Sequence, residues 1–127
     1  MARRKKRRKA RHRRTLRIDW NGCPPLPLRR RKLRRAARIA LRHGCYITAT
    51  TNGVHAPGSY HYSGRAIDFG SSSASNAPEK KAQAAIYGKF GARKFRELFG
   101  PKSFYVKNGV RLPGVFPGHS DHLHVAF

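Results

Sequence analysis

Two short stretches of this sequence carry residues that could bind a metal ion and move a proton. The first contains His61 and Asp68, and the second, near the C-terminus, contains Asp121 and His124. A hydrolytic zinc site usually takes three ligands from histidines and carboxylates and leaves one position open for water. His61, Asp68 and His124 fit that ligand set. Asp121 is then the candidate for an unligated carboxylate that accepts a proton from the attacking water.

The residues around the first stretch would aim both candidate ligands at one place. Gly64 permits a turn that brings the following chain back past His61. A strand over residues 66–69 would bury its apolar side chains on one face and point Asp68 toward the other. A buried carboxylate is costly unless it is paired or bound to a metal, so this placement favours a ligand.

The second stretch alternates histidine with apolar residues, which is typical of a strand. A strand over 122–127 would place His122 and His124 on one face and its apolar side chains on the core face. Such histidines can also be satisfied polar groups in a core or ordinary surface residues. Because the chain otherwise uses Arg and Lys for its surface, the whole constellation favours a metal site.

The remaining pattern predicts an α+β domain over 19–127, with a small antiparallel sheet and helices packed to one side. A disordered basic tail over residues 1–18 precedes it, because so many like charges cannot bury enough apolar surface to fold. The predicted elements, in chain order, are a helix from Arg29 to Gly44, a strand over 45–51, the strand over 66–69, a helix from about Pro78 capped by Asn76, a second helix through 95–99 after breaks at Gly88 and Gly91, a hairpin over 103–112 around Asn108 and Gly109, and the last strand.

Charge and composition limit the partners. The chain of 127 residues has 29 Lys and Arg against five Asp and Glu, a net charge of +24. This charge attracts polyanions such as nucleic acid, lipopolysaccharide or teichoic acid, without choosing among them. No apolar run is long enough for a membrane span or for the core of a secretion signal, so we do not expect Sec export, and action outside the cytoplasm would need another means of release. Cys23 and Cys45 fit no metal-binding spacing, and free thiols are the simpler expectation.

The motif residues resemble those of the zinc D-alanyl-D-alanine peptidases. This family includes phage L-alanyl-D-glutamate endolysins and D-Ala-D-Ala carboxypeptidases, and it is grouped with lysostaphin-type and hedgehog-type folds. Its pattern is Ser-x-His-x-x-Gly-x-Ala-x-Asp, followed later by an acid three residues before a histidine. The fixed positions of the first motif are matched at Ser59, His61, Gly64, Ala66 and Asp68.

The resemblance covers residues 45–127 and implies a role for each motif residue. It implies zinc ligation by His61, Asp68 and His124. It also implies that Asp121 is the general base, and an Asp rather than a Glu there resembles the endolysins. His122 resembles the first histidine of a His-x-His pair, which could stabilise a tetrahedral intermediate or orient a ligand.

Substrate binding departs from the family pattern. The family's dipeptidases commonly hold the substrate carboxylate with an Arg upstream of the first ligand, but the loop over 50–58 has no Arg and offers His55 instead. Arg65 could serve, and Ser59 is the third candidate for a substrate contact. Exo and endo cleavage therefore both stay open.

The residues predict a zinc peptidase, and the resemblance implies that it is made in a bacterial host's cytoplasm and hydrolyses peptidoglycan stem peptides at the cell wall, from the virion or after release. We expect it to act as a monomer. The alternative is a virion-associated or nucleic-acid-binding structural protein that keeps a peptidase-like fold. Binding of that second protein to DNA would weaken steeply with salt, and zinc would be dispensable.

Overall fold

Residues 17–127, which the computed structural model describes, form two α-helices and six strands, as expected for the α+β class. The elements are α1 (Arg31–Arg42), β1 (Tyr46–Ala49), β2 (Ala66–Gly70), α2 (Ala77–Phe90), β3 (Glu97–Phe99), β4 (Phe104–Lys107), β5 (Val110–Pro113) and β6 (Leu123–Ala126), with 3₁₀ turns at Tyr60–Ser63 and Ala92–Lys94.

The strands form one antiparallel sheet in the order β1-β2-β6-β3-β4-β5. In the middle of the sheet, His124 of β6 lies opposite Asp68 on one side and Phe99 on the other. Val125 likewise lies between Ile67 and Leu98. Because residues directly opposite one another share a face, the sheet has one face that carries Asp68 and His124 and a second, apolar face.

Both helices pack on the apolar face. The buried cluster joins Leu33, Ala36, Ala37 and Ala40 of α1 and Ala82 and Ile86 of α2 to Ile47, Ile67, Phe69, Leu98, Val106, Leu123 and Val125 of the strands. The three fully buried alanines of α1 form a narrow apolar stripe that lets its backbone approach the sheet closely. The opposite face of the sheet is left for the candidate site.

The helix predicted through residues 95–99 is wrong. Helix α2 continues through Gly88, because a glycine inside a helix lowers its stability by only about 1 kcal/mol relative to alanine. The helix ends before Gly91, whose φ is 77°. The chain then enters β3, whose backbone bonds to β6 on one side and β4 on the other. Because β3 lies between β6 and β4, it provides hydrogen-bond partners for the backbone groups of both neighbouring strands. This pairing between strands outweighs the helix-like spacing of apolar residues in the local sequence.

Two turn predictions had different outcomes. Asn108 and Gly109 have φ values of 49° and 79°, as a type I′ turn requires, and they join β4 to β5 in the predicted hairpin. Asn76, in contrast, has a left-handed backbone at φ 56° and makes no side-chain cap to α2. Its Nδ2 donates to the carbonyl oxygen of Ser120 at 3.3 Å, so it holds the loop before β6 rather than the helix end.

The N-terminal part of the domain begins earlier than predicted. Ile18 is only 8% exposed and belongs to the core, although the sequence predicts it in the tail; residues 1–16 of that predicted tail lie outside the described residues.

Cys23 and Cys45 are buried free thiols, as expected, and burial raises the pKa of Cys45 to about 12. Within residues 17–127, neither helix has the length and apolar character needed to cross a membrane.

Candidate metal centre

A tight turn delivers His61 to the polar face of the sheet. The backbone N–H of His61 donates to Ser59 Oγ at 3.2 Å, which caps the 3₁₀ turn at Tyr60–Ser63. Gly64 ends that turn in a left-handed conformation, φ 69°, that other residues adopt only at a cost. The chain then reverses into β2, and Asp68 comes back beside His61.

The three predicted ligands meet at one point. His61 Nε2 lies 3.1 Å from Asp68 Oδ2, His124 Nδ1 lies 2.8 Å from Asp68 Oδ1, and the two histidine nitrogens are 3.3 Å apart. Atoms that bind one zinc ion at its usual 2.0–2.1 Å with tetrahedral angles are themselves about 3.3 Å apart. The donor set and its spacing therefore fit a metal ion of this size.

The ring of His61 is oriented as a ligand requires. Its Nδ1 lies 2.6 Å from the carbonyl oxygen of Thr50. Because a carbonyl oxygen can only accept, Nδ1 carries the hydrogen and Nε2 carries the lone pair that faces Asp68 and His124. The His61 side chain is 2% exposed, so this lone pair needs a partner within the site.

Electrostatics stabilise charge at the same point. Burial raises the pKa of the Asp68 carboxyl, but its close contacts with the imidazoles of His124 and His61 outweigh this and hold the pKa well below its usual range. Burial lowers the pKa of His124, but its contacts with Asp68 and Glu97 outweigh this and raise the pKa to about 9. An ionised carboxylate thus faces a site that favours a positive charge.

His55 adds a further imidazole. Its ring stacks on His61 with centroids 3.9 Å apart, and one ligand atom from each of His55, His61 and Asp68 lies within 4.8 Å of the others. His55 Nε2 is held by the carbonyl oxygen of Asn52 at 2.8 Å, which leaves Nδ1 with the lone pair. This group could hold a metal ion, and it shares His61 and Asp68 with the predicted ligand set.

The site lies in an open cleft of about 430 Å³. Its lining includes residues 55–60, among them the predicted substrate residues His55 and Ser59, and also Phe99, Phe116 and His119. Phe99 stacks on Phe116 with centroids 4.0 Å apart and on His124 at 5.5 Å. Five of the chain's seven histidines line this cleft, so it concentrates groups that bind metals or exchange protons.

Asp121 is not among the described residues that line the cleft, and its carboxylate contacts the neighbouring His122. Its side chain is 81% exposed, and Oδ1 lies 2.8 Å from Nδ1 of His122, whose side chain lines the cleft. The hydrogen bond from His122 lowers the pKa of Asp121, which keeps the carboxylate ionised. The structure therefore places His122 in the lining of the cleft, and Asp121 is connected to the cleft by its contact with His122.

Arg65 is not among the described residues that line the cleft. Its Nε donates to the carbonyl oxygen of Phe127 at 3.2 Å, and its guanidinium lies 5.3 Å from the ring of Tyr60. The expectation that Arg65 holds a substrate carboxylate would require this side chain to leave both contacts.

Glu97 and His119 line the cleft but were not among the predicted site residues. Glu97 Oε1 lies 2.8 Å from Nε2 of His124. This contact was not expected, because residues 95–99 were predicted to form a helix and Glu97 is instead in β3. His119 is half-buried beside Phe116 and His122, and burial lowers its pKa. The available signal for Glu97 was the scarcity of acids in the chain, since only five Asp and Glu are present.

Comparisons of the whole chain with profiles of protein families, with curated proteins and with solved structures found no significant match. The likeness to zinc peptidases thus depends on the motif residues and their spacing.

Proposed function

We propose that this protein is a zinc-dependent peptidase that cleaves peptide bonds in bacterial peptidoglycan. One observation carries the proposal: His61 Nε2, His124 Nδ1 and the Asp68 carboxylate converge within 3.3 Å of one another in the lining of an open cleft. This arrangement combines a ligand set suited to zinc with access for a substrate, which a purely structural site does not need.

The proposed ligands would be His61, Asp68 and His124, with His55 close enough to replace or supplement one of them. When bound there, zinc supplies Lewis-acid chemistry, polarising a carbonyl group and making water a better nucleophile. The backbone carbonyl of Thr50 holds His61, and the β2–β6 pairing holds Asp68 against His124. These contacts keep the donor atoms in place before any substrate arrives.

Proton transfer is assigned to Asp121 and His122. The carboxylate accepts a hydrogen bond from Nδ1 of His122, so Nε2 of that ring carries a lone pair at the cleft. A proton taken from water at Nε2 would leave an imidazolium that the Asp121 carboxylate stabilises. The same pair can then return the proton to the leaving amine.

The lining of the cleft favours cleavage inside a stem peptide over removal of its last residue. Recognition of a free terminal carboxylate commonly uses Arg or Lys, and the described residues that line the cleft include neither. The lining instead offers aromatic and imidazole rings from Phe99, Phe116, His55 and His119. We therefore favour endolysin-like over carboxypeptidase-like action, at the cell wall, with the basic N-terminal residues attracted to an anionic polymer.

Purified peptidoglycan is the substrate that tests this proposal. The full chain is incubated with it in the presence of zinc, with a chelator, and with zinc restored, and new amino and carboxyl termini are identified by mass spectrometry. We expect chelator-sensitive release, and none from His61→Ala, which should also lose the metal. If zinc-loaded protein cleaves none of the wall types tested, the proposal is rejected.

A second candidate, a nucleic-acid-binding structural protein, is favoured by one surface. Helix α1 exposes Arg31, Lys32, Arg35 and Arg42, and it covers the face of the sheet opposite the cleft. Phosphate contacts from such a surface would weaken steeply with salt. DNA binding that is independent of zinc, without wall hydrolysis, would favour this candidate.

A further inference from the structure

Glu97 places a second carboxylate on His124. Its Oε1 lies 2.8 Å from Nε2, while Asp68 Oδ1 lies 2.8 Å from Nδ1 on the other side of the ring. The side chains of His124 and Glu97 are 9% and 23% exposed, so water competes little for this contact. His124 is thus held at both nitrogens, and only one of these nitrogens faces the other ligands.

The chemistry of the contact decides which nitrogen is free to bind a metal. A carboxylate accepts hydrogen bonds, so Nε2 of His124 carries a hydrogen where it contacts Glu97, and Nδ1 carries a second hydrogen toward Asp68 only while the ring is an imidazolium. A neutral imidazole then has its lone pair on Nδ1, the atom that lies 3.3 Å from His61 Nε2. We propose that Glu97 is a positioning residue that holds His124 as an Nδ1 ligand; this inference rests on the proposed metal centre.

The ring plane of His124 is supported at the same time. Phe99, two residues after Glu97 on β3, stacks on His124 at an interplanar angle of 21°. One short strand therefore restrains the ring face through Phe99 and the ring edge through Glu97. A partner that orients a ligating histidine commonly changes metal affinity about 10- to 100-fold when it is removed.

His61 has an equivalent partner that substitution cannot remove. The Thr50 carbonyl that holds its Nδ1 belongs to the backbone. Glu97 is a side chain, so the orientation of His124 can be disturbed without touching a ligand.

Three substitutions separate the reach of the Glu97 side chain from its charge. Glu97→Gln keeps an acceptor oxygen at the same distance but removes the charge. Glu97→Asp keeps the charge but withdraws the oxygen by one methylene, and Glu97→Ala removes both. Each full-length variant is titrated with zinc against a chromophoric chelator and with cobalt(II), whose visible absorption reports the ligand geometry; circular dichroism verifies the fold.

We expect zinc affinity to fall little in Glu97→Gln and about 10- to 100-fold in Glu97→Asp and Glu97→Ala, with an altered cobalt spectrum in the last two. Wild-type affinity in all three variants would overturn the inference while leaving the metal centre intact. Normal affinity in Glu97→Asp with a loss in Glu97→Gln would also overturn it, because charge rather than contact would then matter. Failure of the wild-type chain to bind zinc would instead reject the proposed function itself.

Discussion

The metal-free protein should lose stability as the pH rises through about 9. The pKa of His124 is raised from 6.5 to about 9 in the fold, so its imidazolium contributes stability that is fully present below pH 6.5 and is lost as pH rises through the folded value. Asp68 has a lowered pKa, and its contribution is present above its usual value of 3.8 and lost in stronger acid. These two groups should therefore stabilise the metal-free fold most between about pH 4 and 6.5.

The size of this effect follows from the shift of His124. Each pKa unit corresponds to about 1.4 kcal/mol, so the contribution lost above pH 9 is on the order of 3 kcal/mol. For a domain of this size that loss lowers the melting temperature by about 10 °C. His124 is held between Asp68 and Glu97 and is only 9% exposed, so solvent screening reduces the effect little.

Thermal unfolding followed by circular dichroism measures this directly, with chelator present from pH 6 to pH 10. His124→Gln is the comparison, because the general loss of positive charge at high pH affects both proteins alike, and His43→Gln is an exposed control. Saturating zinc should abolish the loss, since a metal ion replaces the proton and needs deprotonated histidine. The reasoning is refuted if metal-free wild type and His124→Gln change in parallel across this range.

Three other changes test separate parts of the account. Asp121→Ala should strongly lower peptidoglycan hydrolysis yet retain zinc in a metal assay, because His122 would lose the carboxylate that stabilises its imidazolium while the ligands keep theirs; undiminished hydrolysis would mean that proton transfer does not use Asp121. Gly64→Ala should lower the free energy of unfolding in urea by about 1 kcal/mol because its φ is 69°, and an unchanged value would mean that the turn relaxes. Deleting residues 1–16 should reduce salt-sensitive binding to an anionic polymer without changing hydrolysis of purified wall. Undiminished binding would mean that the polymer binds to the basic surface of α1 instead.

Much of the candidate site is encoded locally, and this is why its sequence prediction and its geometry agree. Alternation along β2 and β6 places Asp68 and His124 on the same face, and a single glycine reverses the chain so that His61 meets them. The alternation and the turn each depend on neighbours within a few residues, whereas the pairing of β2 with β6 joins residues 56 apart in the sequence. Such short-range patterns are readable without knowledge of the fold.

Glu97 could not be placed in the same way. Phe95, Leu98 and Phe99 have the spacing of a helix face, and a strand of three residues is too short to show an alternation of its own. Its conformation depends on the gap between β6 and β4, which are distant in sequence. His119 is similar, because its position follows from packing against Phe99 and Phe116.

The most direct test of the central claim is hydrolysis of purified peptidoglycan as zinc is added stepwise to the metal-free chain. If His61, Asp68 and His124 hold one catalytic ion, the release of new termini should rise in proportion to zinc and level off at one equivalent. Asp68→Ala should stay inactive at that zinc concentration. Equal hydrolysis with chelator and with zinc, or equal activity in Asp68→Ala, would contradict the account.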